Sequence, residues 1–157
     1  MNVKSIVVSV VAACAVLFVS GCASTDVVKN ACFASSIATG VAIDAGLQYA
    51  VSDPTNRVEI EKQIFTVADN LLILSTNGTV SVDSVTAVFN VNNPTVKLIL
   101  NPVLALYKNY YAELQGNNVV NQATQILTCI ATDAKNATTP DAVLLSQQKG
   151  LALYRKN

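Results

Sequence analysis

Three of the chain's four prolines stand directly behind a residue that caps helices, in Asp53-Pro54, Asn93-Pro94 and Thr139-Pro140. Proline has no amide hydrogen and a φ fixed near the helical value, so it suits the first position of a helix and disrupts its interior. An Asp, Asn or Thr just before it accepts from the open amides of that first turn. The chain is therefore divided into helices that restart at these points. Thr76-Asn77-Gly78 and Gly116-Asn117-Asn118 supply the stops, because glycine takes the left-handed conformation that ends a helix.

Between these breaks the apolar residues recur at helical spacing. The first run, about Asp26 to Ala50, places Ala34, Ala38, Ala42 and Gly46 four apart. That narrow strip of small side chains suits close packing against a second helix. Phe33, Ile37, Val41 and Leu47 add bulk nearby, and Asp44 is expected on the outer side. After Pro54, Ile60, Ile64, Val67, Leu71 and Leu74 share one face, widened by Phe65, Ala68 and Leu72. Glu59, Lys62, Thr66 and Asp69 line the opposite side, as an amphipathic helix requires.

Thr79 to Val91 fits two periods. Val80 and Val82 alternate as in a strand, whereas Val82, Val85, Val88 and Phe89 follow a helix. No other segment offers a strand partner, so a short helix from about Ser81 is expected. From Pro94, Val96, Ile99, Leu100, Val103, Tyr107, Tyr110 and Leu114 lie on one side, and Pro102 inside that run predicts a kink or a two-part helix. Val119, Ala123, Ile126, Leu127, Ile130 and Ala134 mark a fifth helix. Thr139-Pro140-Asp141 opens a last one before a frayed basic tail at Arg155-Lys156. The expected fold is all-α, a compact antiparallel bundle of about five to six helices forming a single domain over residues 26–157.

The first residues read differently. Met1 to Lys4 is positive, Ile6 to Val19 is apolar apart from Ser9, and the small residues Ser20 and Gly21 precede Cys22. This is the plan of an export signal, and the apolar run falls short of the ~18–20 residues that span a bilayer. Val19-Ser20-Gly21-Cys22 resembles the lipobox of bacterial lipoproteins, with Val19 where that family favours Leu. The resemblance is confined to residues 1–23. It implies a signal peptide over residues 1–21 that is removed, a lipid on the Cys22 sulfur, and a short tether over residues 22–25. Ala23, where Asp would retain such a protein at the inner membrane, implies the outer membrane, on its periplasmic side or at the cell surface. Two or more acyl chains, at about 0.8 kcal/mol per buried methylene, make the membrane a lasting partner through Cys22.

Of the four cysteines, Cys14 leaves with the leader and Cys22 carries the lipid, so Cys32 and Cys129 remain. A pair in an oxidising compartment is a disulfide candidate. Two separate buried thiols are the alternative, since a free cysteine behaves as a small hydrophobe.

Histidine is absent, which removes the commonest general base and metal ligand together. No CxxC, HExxH, Gly-rich phosphate loop or GxSxG turn occurs, and the carboxylates are scattered. No catalytic residue, metal site or cofactor is expected, and the protein is not expected to be an enzyme. Without residues 1–21, Lys+Arg falls from 10 to 9 against 10 acids. A net charge near zero gives nucleic acid no electrostatic attraction.

Tyr107, Tyr110 and Tyr111 are candidates for an aromatic contact surface. Alternatively they fill the edge of the core with their hydroxyls in water. The expected role is that of a non-catalytic, lipid-anchored envelope protein, structural or binding another envelope protein. The alternative is a carrier of a lipid or other apolar ligand, which predicts a cavity of roughly 300 Å³ or more.

Overall fold

A computed structural model describes residues 27–138. The expected leader, Cys22 with its tether, and the last helix with its basic tail lie outside the described residues. Within them the chain forms five helices: α1 Val27–Ala50, α2 Pro54–Thr76, α3 Val82–Phe89, α4 Pro94–Glu113 and α5 Val119–Ala137. The fold is an all-α bundle.

Local chemistry sets most of the boundaries. The Asp53 carboxylate accepts from the Thr55 amide at 2.8 Å and opens α2. Asn93 accepts from the amides of Thr95 and Val96 at 2.9 and 3.3 Å and opens α4. Ser81 settles the segment with two possible periods. Its hydroxyl accepts from the Ser84 amide at 3.1 Å, and the Ser84 hydroxyl accepts from the Ser81 amide at 2.9 Å. This reciprocal cap commits Val82 onward to α3, while Val80 stays outside the helix and is buried. Gly78 at φ 71° and Gly116 at φ 89° turn the chain after α2 and α4 in the left-handed region.

Pro102 does not divide α4, which runs unbroken from Pro94 to Glu113. The residue costs one backbone hydrogen bond. The buried side chains of Ile99, Leu100, Val103 and Tyr107, on both sides of it, hold the helix to the core. Packing therefore outweighs the local defect.

α1 packs mainly against α5 and α4 rather than against α2, its neighbour in sequence, and α2 packs chiefly on α5. Two pairs fix how α1 meets α5. Cys32 joins Cys129, and the Ser36 hydroxyl donates to the Asp133 carboxylate, each pair 97 residues apart. A constant offset means that the two helices run in the same direction, the relation between the first and fifth of alternating helices. Lys135 of α5 then ties in α2, with its ammonium 2.7 Å from Asp69 and 4.9 Å from the centre of the Phe65 ring.

The core is built from Ile43 and Leu47 of α1, Ile64 and Leu71 of α2, Val85 of α3, Val96, Ile99 and Val103 of α4, and Ile126, Leu127 and Ile130 of α5. The small strip on α1 does what its spacing suggests. Ala34, Ala42 and Gly46 are buried, and a Cβ built on Gly46 would lie 2.6 Å from Cγ1 of Ile99. Only hydrogen fits there, so α1 and α4 approach closely at this point.

Gly46→Ala should destabilise the fold by about 1–3 kcal/mol, the usual cost of overpacking. Gly40, on the same helix, has nothing within 4 Å of its Cβ position. Gly40→Ala should therefore stabilise by about 0.5–1 kcal/mol through helix propensity. Urea denaturation of the two variants beside wild type tests the contrast, which must have opposite signs.

Candidate functional site

Where a helix packs closely through small residues, its bulky ones must go elsewhere. On α1, Phe33, Ile37 and Val41 project outward and are 65%, 41% and 39% exposed, whereas Leu47 is buried. Spaced four apart, they form one ridge on the outer face of the helix. Asp44 and Gln48, also exposed, continue the same face toward the far end. Sequence reasoning noted these three apolar residues without seeing that they form a surface. The signal was present as two adjacent four-residue stripes, small and large, of which only one could face α4.

The disulfide candidates are brought together. The sulfurs of Cys32 and Cys129 lie 2.06 Å apart with Cα atoms at 5.5 Å, and both residues are partly exposed. The bond fastens α1 to α5 next to the Ser36–Asp133 hydrogen bond.

The three tyrosines do not form a common surface. Tyr107 is 1% exposed and belongs to the core, so it offers nothing to a partner. Its hydroxyl does not reach water either, and has no hydrogen-bond partner. Tyr111 tilts against it at 49° with ring centres 6.0 Å apart. Tyr110 and Tyr111 are half-buried against the core. Burial, and next the neighbouring Tyr111, holds the Tyr107 phenol far above its ordinary pKa of 10.0. Burial, and next the charge of Glu113, also raises Tyr110.

The carboxylates of α2 and α3 act singly, four of them spread along α2. Asp53 caps α2, and Glu59 accepts from Gln63. Glu61 is buried and paired with Arg57 at 2.9 Å. Asp69 pairs with Lys135, and Asp83 sits in the first turn of α3, where negative charge interacts favourably with the positive end of the helix dipole. Among the described residues, no three of His, Cys, Asp and Glu gather to hold a metal ion.

Two clefts are open at the surface. One of about 400 Å³ lies where the starts of α2 and α4 meet, lined by Asp53, Asn56, Glu59, Asn93 and Thr95 among others. The second, about 510 Å³, lies between α3 and α4 beside Asp83, Phe89, Lys97 and Leu104. Neither is an enclosed apolar chamber. Among the described residues, no helix is long and apolar enough to cross a membrane. No family model, curated protein or solved structure matches the chain.

Two measurements follow from this geometry. Opening the Cys32–Cys129 bond frees a loop of 97 residues, for which loop-closure entropy gives a loss of about 4–5 kcal/mol. Denaturation with and without reductant, repeated on the Cys32→Ser, Cys129→Ser double variant, should show that loss.

The second concerns pH. The folded protein binds the Tyr107 and Tyr110 protons more tightly than the unfolded chain does. Their contribution is complete below the unfolded pKa of 10.0 and is lost as pH rises above it. Each such group removes about 1.4 kcal/mol per pH unit there. Tyr107→Phe should raise neutral stability by about 1–3 kcal/mol, since the buried hydroxyl it deletes is unpaired, and should flatten the alkaline loss. Urea midpoints on both sides of about pH 10 distinguish the variant from wild type.

Proposed function

We propose that this protein is a lipid-anchored envelope protein without catalytic activity, held at the outer membrane through Cys22, with a structural or protein-binding role. The observation that carries the reading is the cysteine usage as a whole. Cys22 closes an export-like leader in the lipobox pattern, and Cys32 and Cys129 stand at bonding distance. Disulfides persist in oxidising compartments outside the cytoplasm. The two features are independent, and both agree with export.

The non-catalytic part rests on the dispersal of the ionisable groups. A site needs a defined constellation, and here Asp53, Glu61 and Asp69, spread along α2, act singly as a cap and as ion-pair partners. The interaction role is preferred over a carrier role because the described clefts are open and carry polar groups. A carrier of apolar ligands buries them in an enclosed, mostly apolar pocket.

Intact-mass measurement and membrane fractionation test the proposal together. Wild type should appear in the membrane fraction, cut before Cys22 and carrying acyl chains. Cys22→Ser should lose the acyl mass and the membrane association. Wild-type protein found freely dissolved, without acyl groups and cut at another bond, would refute it.

A further inference from the structure

We infer that the outward ridge Phe33–Ile37–Val41 of α1 lies against the lipid surface to which the protein is anchored, so that the bundle rests on the membrane by its first helix. The inference deepens the proposed anchoring and rests on it.

Three observations point to lipid as the occupant of this ridge. The first is reach. Cys22 and Val27, where α1 begins, are five residues apart, a fully extended span of about 17 Å. An acyl anchor at Cys22 therefore keeps the start of α1 close to the bilayer, and α1 is the helix the tether enters.

The second is the direction of the polarity gradient. Phe33 lies six residues into α1, about 9 Å along its axis, and Val41 about 21 Å along it. Beyond Val41 the same exposed face turns polar at Asp44 and Gln48. Ahead of Phe33 the same face carries the exposed Lys29 and Asn30, so the apolar ridge is bounded by a cation at the anchor end, the sign that an anionic lipid surface attracts, and by an acid at the far end. Exposure falls in the same sense, from 65% at Phe33 to 39% at Val41.

The third is that the ridge cannot turn inward. α1 meets α4 with no space for even a Cβ at Gly46, and its other side is fastened to α5 through Cys129 and Asp133. The large side chains are held outward by the packing of the bundle. A helix with an apolar outer face lies in the interfacial plane with that face sunk about 5–10 Å toward the acyl chains.

The chain contains no tryptophan, so a single introduced Trp reports its own surroundings. Full-length Phe33→Trp, Ile37→Trp, Gln48→Trp and Leu98→Trp proteins would be purified from membranes and reconstituted. The vesicles are phosphatidylethanolamine and phosphatidylglycerol, with and without brominated acyl chains. Leu98 is the reference, being exposed on α4 next to the Ile99 that meets Gly46 near the far end of α1. Intact mass and vesicle flotation establish acylation and anchoring for each sample.

Several-fold stronger bromolipid quenching in the Phe33→Trp and Ile37→Trp proteins than in Leu98→Trp, with Gln48→Trp in between, is the expected result. If acylated, floating Phe33→Trp protein is quenched no more than Leu98→Trp, the inference is overturned and the anchor is left standing. If the Phe33→Trp emission is nevertheless blue-shifted, the ridge is covered by protein instead. Its dependence on protein density in the vesicle then separates a second copy from the chain beyond Thr138. Protein without acyl groups overturns the anchor reading, and the inference falls with it.

Discussion

Closing five helices into one body requires the first to be held against the last, and everything else in this fold depends on that contact. The inner face of α1 gains less from burial than the other helices do. Apart from Ile43 and Leu47, it offers Ala31, Ala34, Ala42 and Gly46 together with Ser35 and Thr39, where α4 offers Val96, Ile99, Leu100, Val103 and Tyr107. Burial stabilises in proportion to apolar area, at about 25 cal/mol per Å², and small side chains carry little area. A covalent link between Cys32 and Cys129 supplies what the α1 surface lacks. By shrinking the unfolded ensemble it favours the closed bundle without adding a contact.

The neighbouring contact of α1 with α4 holds two unpaired polar groups. The hydroxyls of Thr39 and Tyr107 are buried without a hydrogen-bond partner. Gly46 meets Ile99, so in an antiparallel pair Thr39, seven residues back, stands level with position 106 of α4, beside Tyr107. Ser35, one turn earlier, escapes this condition by donating to the Ala31 carbonyl. An unsatisfied buried hydroxyl costs about 1–3 kcal/mol. Two of them offset much of what the disulfide contributes, at about 4–5 kcal/mol for a loop of this length.

The helix boundaries were largely legible because they are set by nearest neighbours. Asp53-Pro54 and Asn93-Pro94 carry their caps in adjacent residues, and both caps form. Ser81 was harder, since its partner in the reciprocal cap is Ser84 rather than the Glu or Gln that marks the motif. The inward faces of α2 and α5 were legible from periodicity, because polar residues occupy the other side. α1 was not, since its large and small stripes are both apolar and nothing local says which faces inward. Tyr107 shows the same limit. Its helical phase put it on the core side, but only the depth of that core decides whether the hydroxyl meets water. The pairing of Cys32 with Cys129 was an arithmetic remainder in the sequence, and it became geometry once α1 and α5 ran parallel.

The inverted character of α1 follows from these constraints together. An ordinary amphipathic helix buries its large apolar residues and shows its small or polar ones. Here Ile43 and Leu47 are buried near the far end, but α4 approaches so closely at Gly46 that not even a Cβ fits there. Moving Phe33, Ile37 and Val41 inward would require separating α1 from α4, and the bond to α5 at Cys129 opposes that rotation. The exposed ridge is therefore not a surface left over when the core was filled. It is what the close contact on the other side of the helix requires. Other large apolar residues, such as Tyr49, Ile73 and Val120, are exposed as well, but Phe33, Ile37 and Val41 stand in line on one helix face. The lipid surface proposed above would account for that line, because there apolar area exposed by folding would again be removed from water.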